Sequence, residues 1–314
     1  MPTISATVIT YNEQKDLDAC LQSILWCDEI FVVDSFSTDK TVEIAKKYTP
    51  NIHQRKWYGP ADQKNHAATL ANCEWILQID ADEIIPQELQ KEMIQIVNKD
   101  IDIDAYYCAR KNYWLGYWIK HGGWYPDLAI RLYKKGAGIW IGASHERFVI
   151  SGKSGVLTNP LIHNNIRSVH EHVQKQIYSS VLEMKDVVDN DLELFYIFPF
   201  NSAWKFLVEF IKRPKTWVTI RILYKEIFKN RLEIAWLIPL YPIVRFIYMY
   251  FFRFGFLDGI PGFWVATLSS TNEAFRHAKI WEYLQLKKHS KDISHYIDKN
   301  IISRSTQSAW PKDE

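Results

Sequence analysis

Two carboxylates stand two positions apart in Asp80-Ala81-Asp82, directly after the apolar run Trp75-Ile-Leu-Gln-Ile79. If that run is a strand and the second carboxylate turns out of it, both can converge on one hard divalent cation, and such a cation can bridge two phosphates. A nucleoside diphosphate fits this chemistry. A surface acidic turn gives the same pattern, so its meaning depends on what the chain places beside it. Three further polar blocks qualify as company: Thr10-Tyr-Asn12-Glu13, Asp34-Ser-Phe-Ser-Thr-Asp39 and Gln63-Lys64-Asn65.

Each block sits where an ordered element should begin or end. Residues 5–10 form a short β-branched run, after which Leu17, Leu21, Ile24 and Leu25 recur at helical spacing. An apolar strand over residues 29–34 stops at Asp34 and leads through a turn into a helix over residues 41–48. A weaker strand near residues 51–56, a helix over residues 63–72 and the strand at residues 75–80 continue the alternation. Consecutive strand-helix units predict an α/β fold of the Rossmann-like kind, a mostly parallel sheet with helices on both faces. Ligands of such sheets bind beyond the carboxyl ends of the strands, and Asn12, Glu13, Asp34 and Asp80 all fall at or just after those ends.

From residue 104 to 163 the texture changes to shorter, glycine-rich and aromatic segments. Residues 106–110, 129–133, 148–150 and 157–163 read as strands of a mixed extension to the sheet, with loops at Gly122-Gly123 and at residues 152–155. Past residue 168 the pattern turns helical. The expected division is an α/β domain over residues 1–167 and a helical region over residues 168–314.

The four blocks together resemble the nucleotide-sugar-binding half of the family 2 inverting glycosyltransferases, which have the GT-A fold. Within that family, Gln78-Ile-Asp-Ala-Asp-Glu83, Tyr125-Pro-Asp127-Leu-Ala-Ile-Arg131-Leu-Tyr133, Ser144-His145-Glu146, Ile162-His163 and Gly255-Phe-Leu-Asp258-Gly259-Ile-Pro-Gly262-Phe263 resemble the group that includes lipopolysaccharide inner-core glucosyltransferases. The resemblance implies that Thr10, Asn12 and Glu13 line a nucleoside pocket and that Asp34 accepts hydrogen bonds from the base or ribose. It implies Lys64 near the diphosphate, Asp80 facing the ribose or the sugar, and Asp82 as the more direct metal ligand, with Asp80 beside it. It further implies a UDP-sugar donor, Mg²⁺ or Mn²⁺ as cofactor, and hexosyl transfer with inversion, with UDP-glucose as the first candidate. As alternatives drawn from the residues alone, Asn12 and Asp39 could cap helices and Lys64 could lie on a solvated helix face.

An inverting transfer needs a base for the acceptor hydroxyl. Asp127, which follows the Gly-Gly-Trp-Tyr-Pro loop, ranks first and Glu146 second; the Glu-Asp pair usual among relatives is missing here. Arg131 and Arg147 could instead pair with these carboxylates as plain salt bridges. His163 or His145 could complete a metal shell, since neutral imidazole is a competent ligand. Trp114, Trp118, Trp124, Tyr125 and Trp140 crowd the same loops and could stack on an acceptor sugar or simply fill a core.

Bulk composition narrows the partners. The chain has 314 residues, 47% of them hydrophobic, enough for a substantial core, and 38 basic against 36 acidic residues leave no charge surplus for coating a nucleic acid. Four scattered cysteines fit a reducing setting, and the first ten residues carry no secretory pattern, which points to the cytoplasmic side. Aromatic residues make up 15%, and residues 195–256 mix them with lysine and arginine. In residues 234–252 only Pro239, Pro242 and Arg245 interrupt an apolar run. A mid-span arginine costs about 2.5–3.5 kcal/mol on insertion scales, so this region is expected to lie in the interface rather than cross; the resemblance implies that it faces the inner membrane surface and a lipid-linked saccharide acceptor. Transfer to undecaprenyl-linked or capsular intermediates and a silent nucleotide-sugar-binding scaffold are the competing readings. A nucleotidyltransferase would want a glycine-rich basic loop after the first strand, and Tyr11-Asn12-Glu13-Gln14 is not one.

Overall fold

The structure, a computed structural model, describes residues 3–99, 102–142, 146–189 and 240–288. These group into two compact units: one holds the described residues of Met1–His172 with Met249–Val265, the other those of Val173–Tyr248 and Ala266–Glu314.

In the first unit, β1 (Ile4–Thr10) is buried on both faces, as the centre of a parallel sheet requires. It pairs in parallel with β2 (Glu29–Asp34) on one side and β4 (Trp75–Asp80) on the other, and β2 carries the short β3 (Ile52–Gln54). The chain thus moves outward from β1 to β3 and then returns to β1's opposite edge at β4, which makes the crevice above β1 the topological switch point. Register aligns Thr10 with Asp34 and Ile9 with Asp80, so the predicted donor residues share one carboxyl edge.

Beyond β4 the sheet continues in the order β8 (Asp127–Lys134), β6 (Ala105–Trp114), β12 (Leu161–Ile166) and β5 (Glu83–Ile84), with β7 (Tyr117–Trp118) and β11 (Ser154–Val156) attached to β6. β8 runs antiparallel to both neighbours, β4 and β6, while β12 is parallel to β6. The α/β fold with a mixed extension is as expected. Residues 148–150 depart from it: β10 (Arg147–Ile150) pairs only with β9 (Gly138–Ile141), as a separate two-stranded ribbon.

Helices clamp the sheet with apolar faces. Leu17, Cys20 and Leu21 of α1 (Leu17–Ser23) and Leu89, Met93 and Val97 of α4 (Gln87–Val97), four residues apart, enter the main core with Val8, Val32, Leu77 and Ile79. Each fully buried leucine or isoleucine contributes roughly 1.5–3 kcal/mol relative to exposure. The short α2 (Thr41–Ala45) follows β2. α3 (Pro60–Leu70) begins with proline at its first turn, where the missing N–H costs nothing, and buries Gln63 and Lys64 along with Ala61 and Ala67. A helix that buries a lysine must offer it a counter-charge.

The second unit takes most of α5 (Val169–Asp189), α6 (Tyr241–Ile247) and the larger part of α7 (Gly259–Lys288). Arg245, the charge that interrupts the apolar run at residues 234–252, pairs at 2.5 Å with the buried Glu273. No described helix is long and apolar enough to cross a membrane. Residues 195–239, on which most of the basic aromatic stretch falls, lie outside the described residues.

Candidate functional site

At the carboxyl edge of β1 and β2, polar side chains hold two loops in register. Asn12 adopts a left-handed backbone (φ 55°), its N–H donates to Ser37 Oγ at 2.8 Å, and its side-chain oxygen accepts from Thr38 N–H at 2.8 Å. Asn12 therefore does not cap α1; it laces the β1 loop to the β2 loop. Asp34 is fully buried and accepts from Ser37 N–H at 3.0 Å and Gln54 Nε2 at 3.2 Å. Glu13 N–H donates to Thr41 Oγ1 at 2.7 Å, and Asp39 accepts from Thr41 N–H at 3.0 Å; the N-cap of the helix at Thr41–Ala45 is Lys40, so Asp39 stands one residue before the cap position considered for it. The Thr10 hydroxyl is buried without a hydrogen-bond partner beside them.

At the end of β4 the structure gathers a charge cluster. Lys64 is 1% exposed, so the solvated-face alternative is excluded. Its Nζ lies 2.9 Å from Asp80 Oδ1, 2.7 Å from Glu146 Oε1 and 4.8 Å above the Trp140 ring. Arg131, also 1% exposed, donates to Asp80 Oδ2 at 2.7 Å and grips Glu83 with Nε and Nη2, both at 2.6 Å. Burial alone would raise the Asp80 carboxyl, but Lys64 and Arg131 outweigh it and hold Asp80 well below the usual carboxylate range. The aim of Arg131 comes from a bulge: between Tyr106 and Tyr107, β6 advances one residue while β8 advances two, leaving Arg131 as the extra one.

A second cluster lies across β12 and β6. His163 Nε2 is 3.3 Å from Asp82 Oδ2, and its Nδ1 is 2.6 Å from Asn112 Oδ1. The Asn112 amide nitrogen donates to Trp124 O and to Asp127 Oδ2, each at 3.0 Å, which fixes its oxygen toward the imidazole. Nδ1 of His163 must then carry a hydrogen, and Nε2 faces Asp82. Desolvation works against charging His163, yet Asp82 raises its basicity above the ordinary histidine value. Asp127 is held by Arg110 Nη2 at 2.7 Å; burial pushes its carboxyl up, and Arg110 more than reverses this, so it stays ionised at neutral pH.

The carboxylate of Asp82 and the Nε2 of His163 face each other, one oxygen and one nitrogen donor of kinds that can ligate a divalent transition-metal ion. Asp80 is turned toward Lys64 and Arg131 instead, and among the described residues no group of three or more His, Cys, Asp and Glu side chains converges for a metal. His145 and Ser144 lie outside the described residues. The pairings considered for Arg131 with Asp127 or Glu146 are corrected: Arg131 serves Glu83 and Asp80, Arg110 serves Asp127, and Lys64 serves Glu146. Trp114 and Trp140 are core residues, while Trp118 and Tyr125 meet edge to face at 5.4 Å and are only half-buried. A cavity of about 330 Å³, lined by Tyr107, Arg110, Arg131, Trp140, Glu146 and Arg147 among others, opens beside the cluster.

Sequence reasoning left out Glu83, Arg110 and Asn112. A signal for the first was available: Arg131 interrupts the apolar strand Ala129-Ile-Arg-Leu-Tyr133, and a cation inside a buried strand demands a buried anion.

Known proteins resemble this chain mainly over its first half. The Glycosyl transferase family 2 model matches residues 5–150, which therefore carry a domain of that family. An uncharacterized glycosyltransferase of Rickettsia bellii is 44% identical over 91 residues, a match spanning 29% of this chain and 31% of that protein. The lipopolysaccharide core biosynthesis glycosyltransferase LpsC of Rhizobium meliloti is 28% identical over 200 residues, covering 60% of this chain and 72% of LpsC. Among solved structures, the mannosyltransferase PcManGT of Pyrobaculum calidifontis, in complex with GDP-Man and Mn²⁺, aligns with a TM-score of 0.41 at 17% identity, over 60% of this chain and 64% of that one.

Proposed function

We propose, from the family 2 glycosyltransferase domain that residues 5–150 carry, that this protein is an inverting, metal-dependent enzyme moving a hexose from a UDP-sugar to a lipid-linked saccharide. Glucose is the first candidate for the sugar. Lipopolysaccharide core is the first candidate for the acceptor, supported by the likeness to LpsC. The observation that carries this reading is Asn112, which bonds both the imidazole facing Asp82 and the carboxylate of Asp127, and so joins a metal-ligand pair to a base.

Thr10, Asn12, Glu13 and Asp34 form the wall for the nucleoside, with Asp34 accepting from base or ribose. Lys64 serves the diphosphate and Asp80 the ribose or sugar. Asp82 and His163 would hold Mg²⁺ or Mn²⁺, with Asp80 nearby. Such a cation supplies positive charge to the leaving diphosphate. Asp127, kept ionised by Arg110, takes the acceptor hydroxyl's proton while that oxygen bonds the anomeric carbon from the face opposite the diphosphate. Glu146 is the second candidate base, and its bond to Lys64 ties it to the donor side instead.

The working place is the cytoplasmic face of the inner membrane, peripheral or monotopic. Phe251, Phe254, Phe256, Leu257, Ile260 and Trp264 are all exposed, with Arg253 exposed among them, a composition suited to a headgroup layer with anionic lipid.

The test is UDP release from a panel of UDP-sugars, with and without Mn²⁺, for the native protein and Asp82→Ala matched by circular dichroism. Metal-dependent release with one sugar, abolished in Asp82→Ala, is expected. Release that Asp82→Ala leaves intact, or none from any UDP-sugar with lipid acceptor extract present, sinks the proposal.

A further inference from the structure

The motif Gly255-Phe-Leu-Asp258-Gly259 has no part in the chemistry above, yet its aspartate is tied to the catalytic unit. The Asp258 side chain is only 6% exposed, and its Oδ2 accepts from Lys120 N–H at 3.1 Å and His121 N–H at 2.8 Å. Its Oδ1 lies 2.8 Å from His121 Nδ1, which faces nothing but a carboxylate and so donates. One step along, Gly122 N–H donates to Arg253 O at 2.9 Å. Gly122 and Gly123 both have left-handed backbones (φ 65° and 87°), the sharp turn that lets three successive N–H groups face this segment.

The same loop continues to Trp124, whose carbonyl accepts from Asn112, and then to Asp127. A short path of hydrogen bonds and loop backbone therefore runs from Asp258 to the groups holding the proposed base and metal ligand. On the other side of Asp258 stand the residues that meet solvent: Phe254, Phe256, Leu257 and Ile260, between 43% and 75% exposed. That segment packs closely at its root: a Cβ on Gly262 would fall 2.0 Å from Gly255 O and one on Gly255 2.8 Å from Met249 O.

We propose that Asp258 is a positioning residue that couples seating of the 251–264 segment on an anionic membrane to the order of the 119–126 loop, and through it to Asp127. This rests on the glycosyltransferase reading for its catalytic consequence, but not for its structural one. The occupant is a lipid surface because the exposed side chains are aromatic and aliphatic, Arg253 stands among them, and Lys111 and Lys120 both lie 4.8 Å over the Trp118 ring on the loop.

The experiment is amide hydrogen exchange of residues 119–126 in the full chain, with and without vesicles of phosphatidylethanolamine and phosphatidylglycerol (3:1), alongside vesicle co-sedimentation. In the native protein, vesicles should slow exchange of Lys120, His121 and Gly122 at least tenfold. Asp258→Asn, which keeps the volume but offers one accepting oxygen in place of two, should still sediment with vesicles and show no slowing. Ile260→Glu, at a position 75% exposed, should bind vesicles at least tenfold more weakly and leave exchange at its vesicle-free rate. Equal slowing in Asp258→Asn and the native protein, or none in the native protein when it is bound, overturns the coupling. UDP release with the same vesicles separates the two ideas: slowed exchange without release from any UDP-sugar refutes the transferase reading and leaves the clasp standing. Release stimulated equally in Asp258→Asn and native overturns the clasp alone.

Discussion

Replacing Glu83 by glutamine isolates the most buried charge in the cluster. The carboxylate is fully buried and accepts Arg131 Nη2 on Oε1 at 2.6 Å, and Arg131 Nε and Asp80 N–H on Oε2 at 2.6 and 3.2 Å. An amide in its place turns one accepting oxygen into an NH₂ group facing N–H donors, and leaves the buried guanidinium with Asp80 as its remaining carboxylate. Removing one partner of a buried pair costs about 3–5 kcal/mol. Each kcal/mol lowers the melting temperature of a domain this size by about 2–4 °C, so a drop of roughly 6–20 °C is expected. Thermal unfolding followed by tryptophan fluorescence measures this drop, and urea unfolding gives the free-energy cost itself. The double variant Glu83→Leu with Arg131→Met removes both charges and should recover part of the loss, since apolar replacement of a buried pair is often neutral, while Asp80 is left with Lys64 as its counter-charge. A single-variant cost below about 1 kcal/mol, or a double variant as unstable as the sum of the singles, would refute the view that this pair is mutually dependent.

Three other outcomes follow. Asn112→Ala frees the imidazole of His163 and the carboxylate of Asp127 together, so Mn²⁺ affinity or turnover should fall about 10- to 100-fold, read by Mn²⁺ titration of UDP release. Asp127→Asn should lower the transfer rate about 10²- to 10⁴-fold while UDP binding by calorimetry is unchanged; Glu146→Gln should act on donor affinity instead. Glu92 accepts Thr158 N–H at 2.7 Å and Asn159 N–H at 2.8 Å. Burial works to raise its carboxyl, but those bonds outweigh it and hold the group below its ordinary value. Its contribution to stability is therefore full above the unfolded value of about 4.3 and is lost as pH falls through the lower folded value. Glu92→Gln should destabilise at pH 7 and flatten the acid side of a stability profile taken from pH 7 to 3.

The parallel half of the sheet was legible because its signals are local. β1, β2 and β4 are apolar runs that stop at polar residues, and the ends of such runs are where a parallel sheet binds ligands. What was not legible was who pairs with whom: Arg131 finds Glu83 across 48 positions and Lys64 finds Glu146 across 82, and no periodicity encodes partners at that range. The bulge that frees Arg131 is equally silent, since its one extra residue shows only when β6 and β8 are aligned. β10 was assigned to the main sheet because a short β-branched run says nothing about which edge receives it. Arg245 read as a cost to membrane insertion, and its buried partner Glu273, 28 positions on, gives it a structural purpose instead.

β8 is the reversed strand in the middle of an otherwise parallel neighbourhood, and that single reversal has an engineering consequence. Because it runs backwards, its first residue, Asp127, arrives at the edge where β4 ends with Asp80, delivered by the loop that precedes it rather than by one that follows. Where Asp127 stands is therefore set by residues 115–126, which come before the strand, and a change of length there would move Asp127 while leaving the carboxyl ends of β1, β2 and β4 in place.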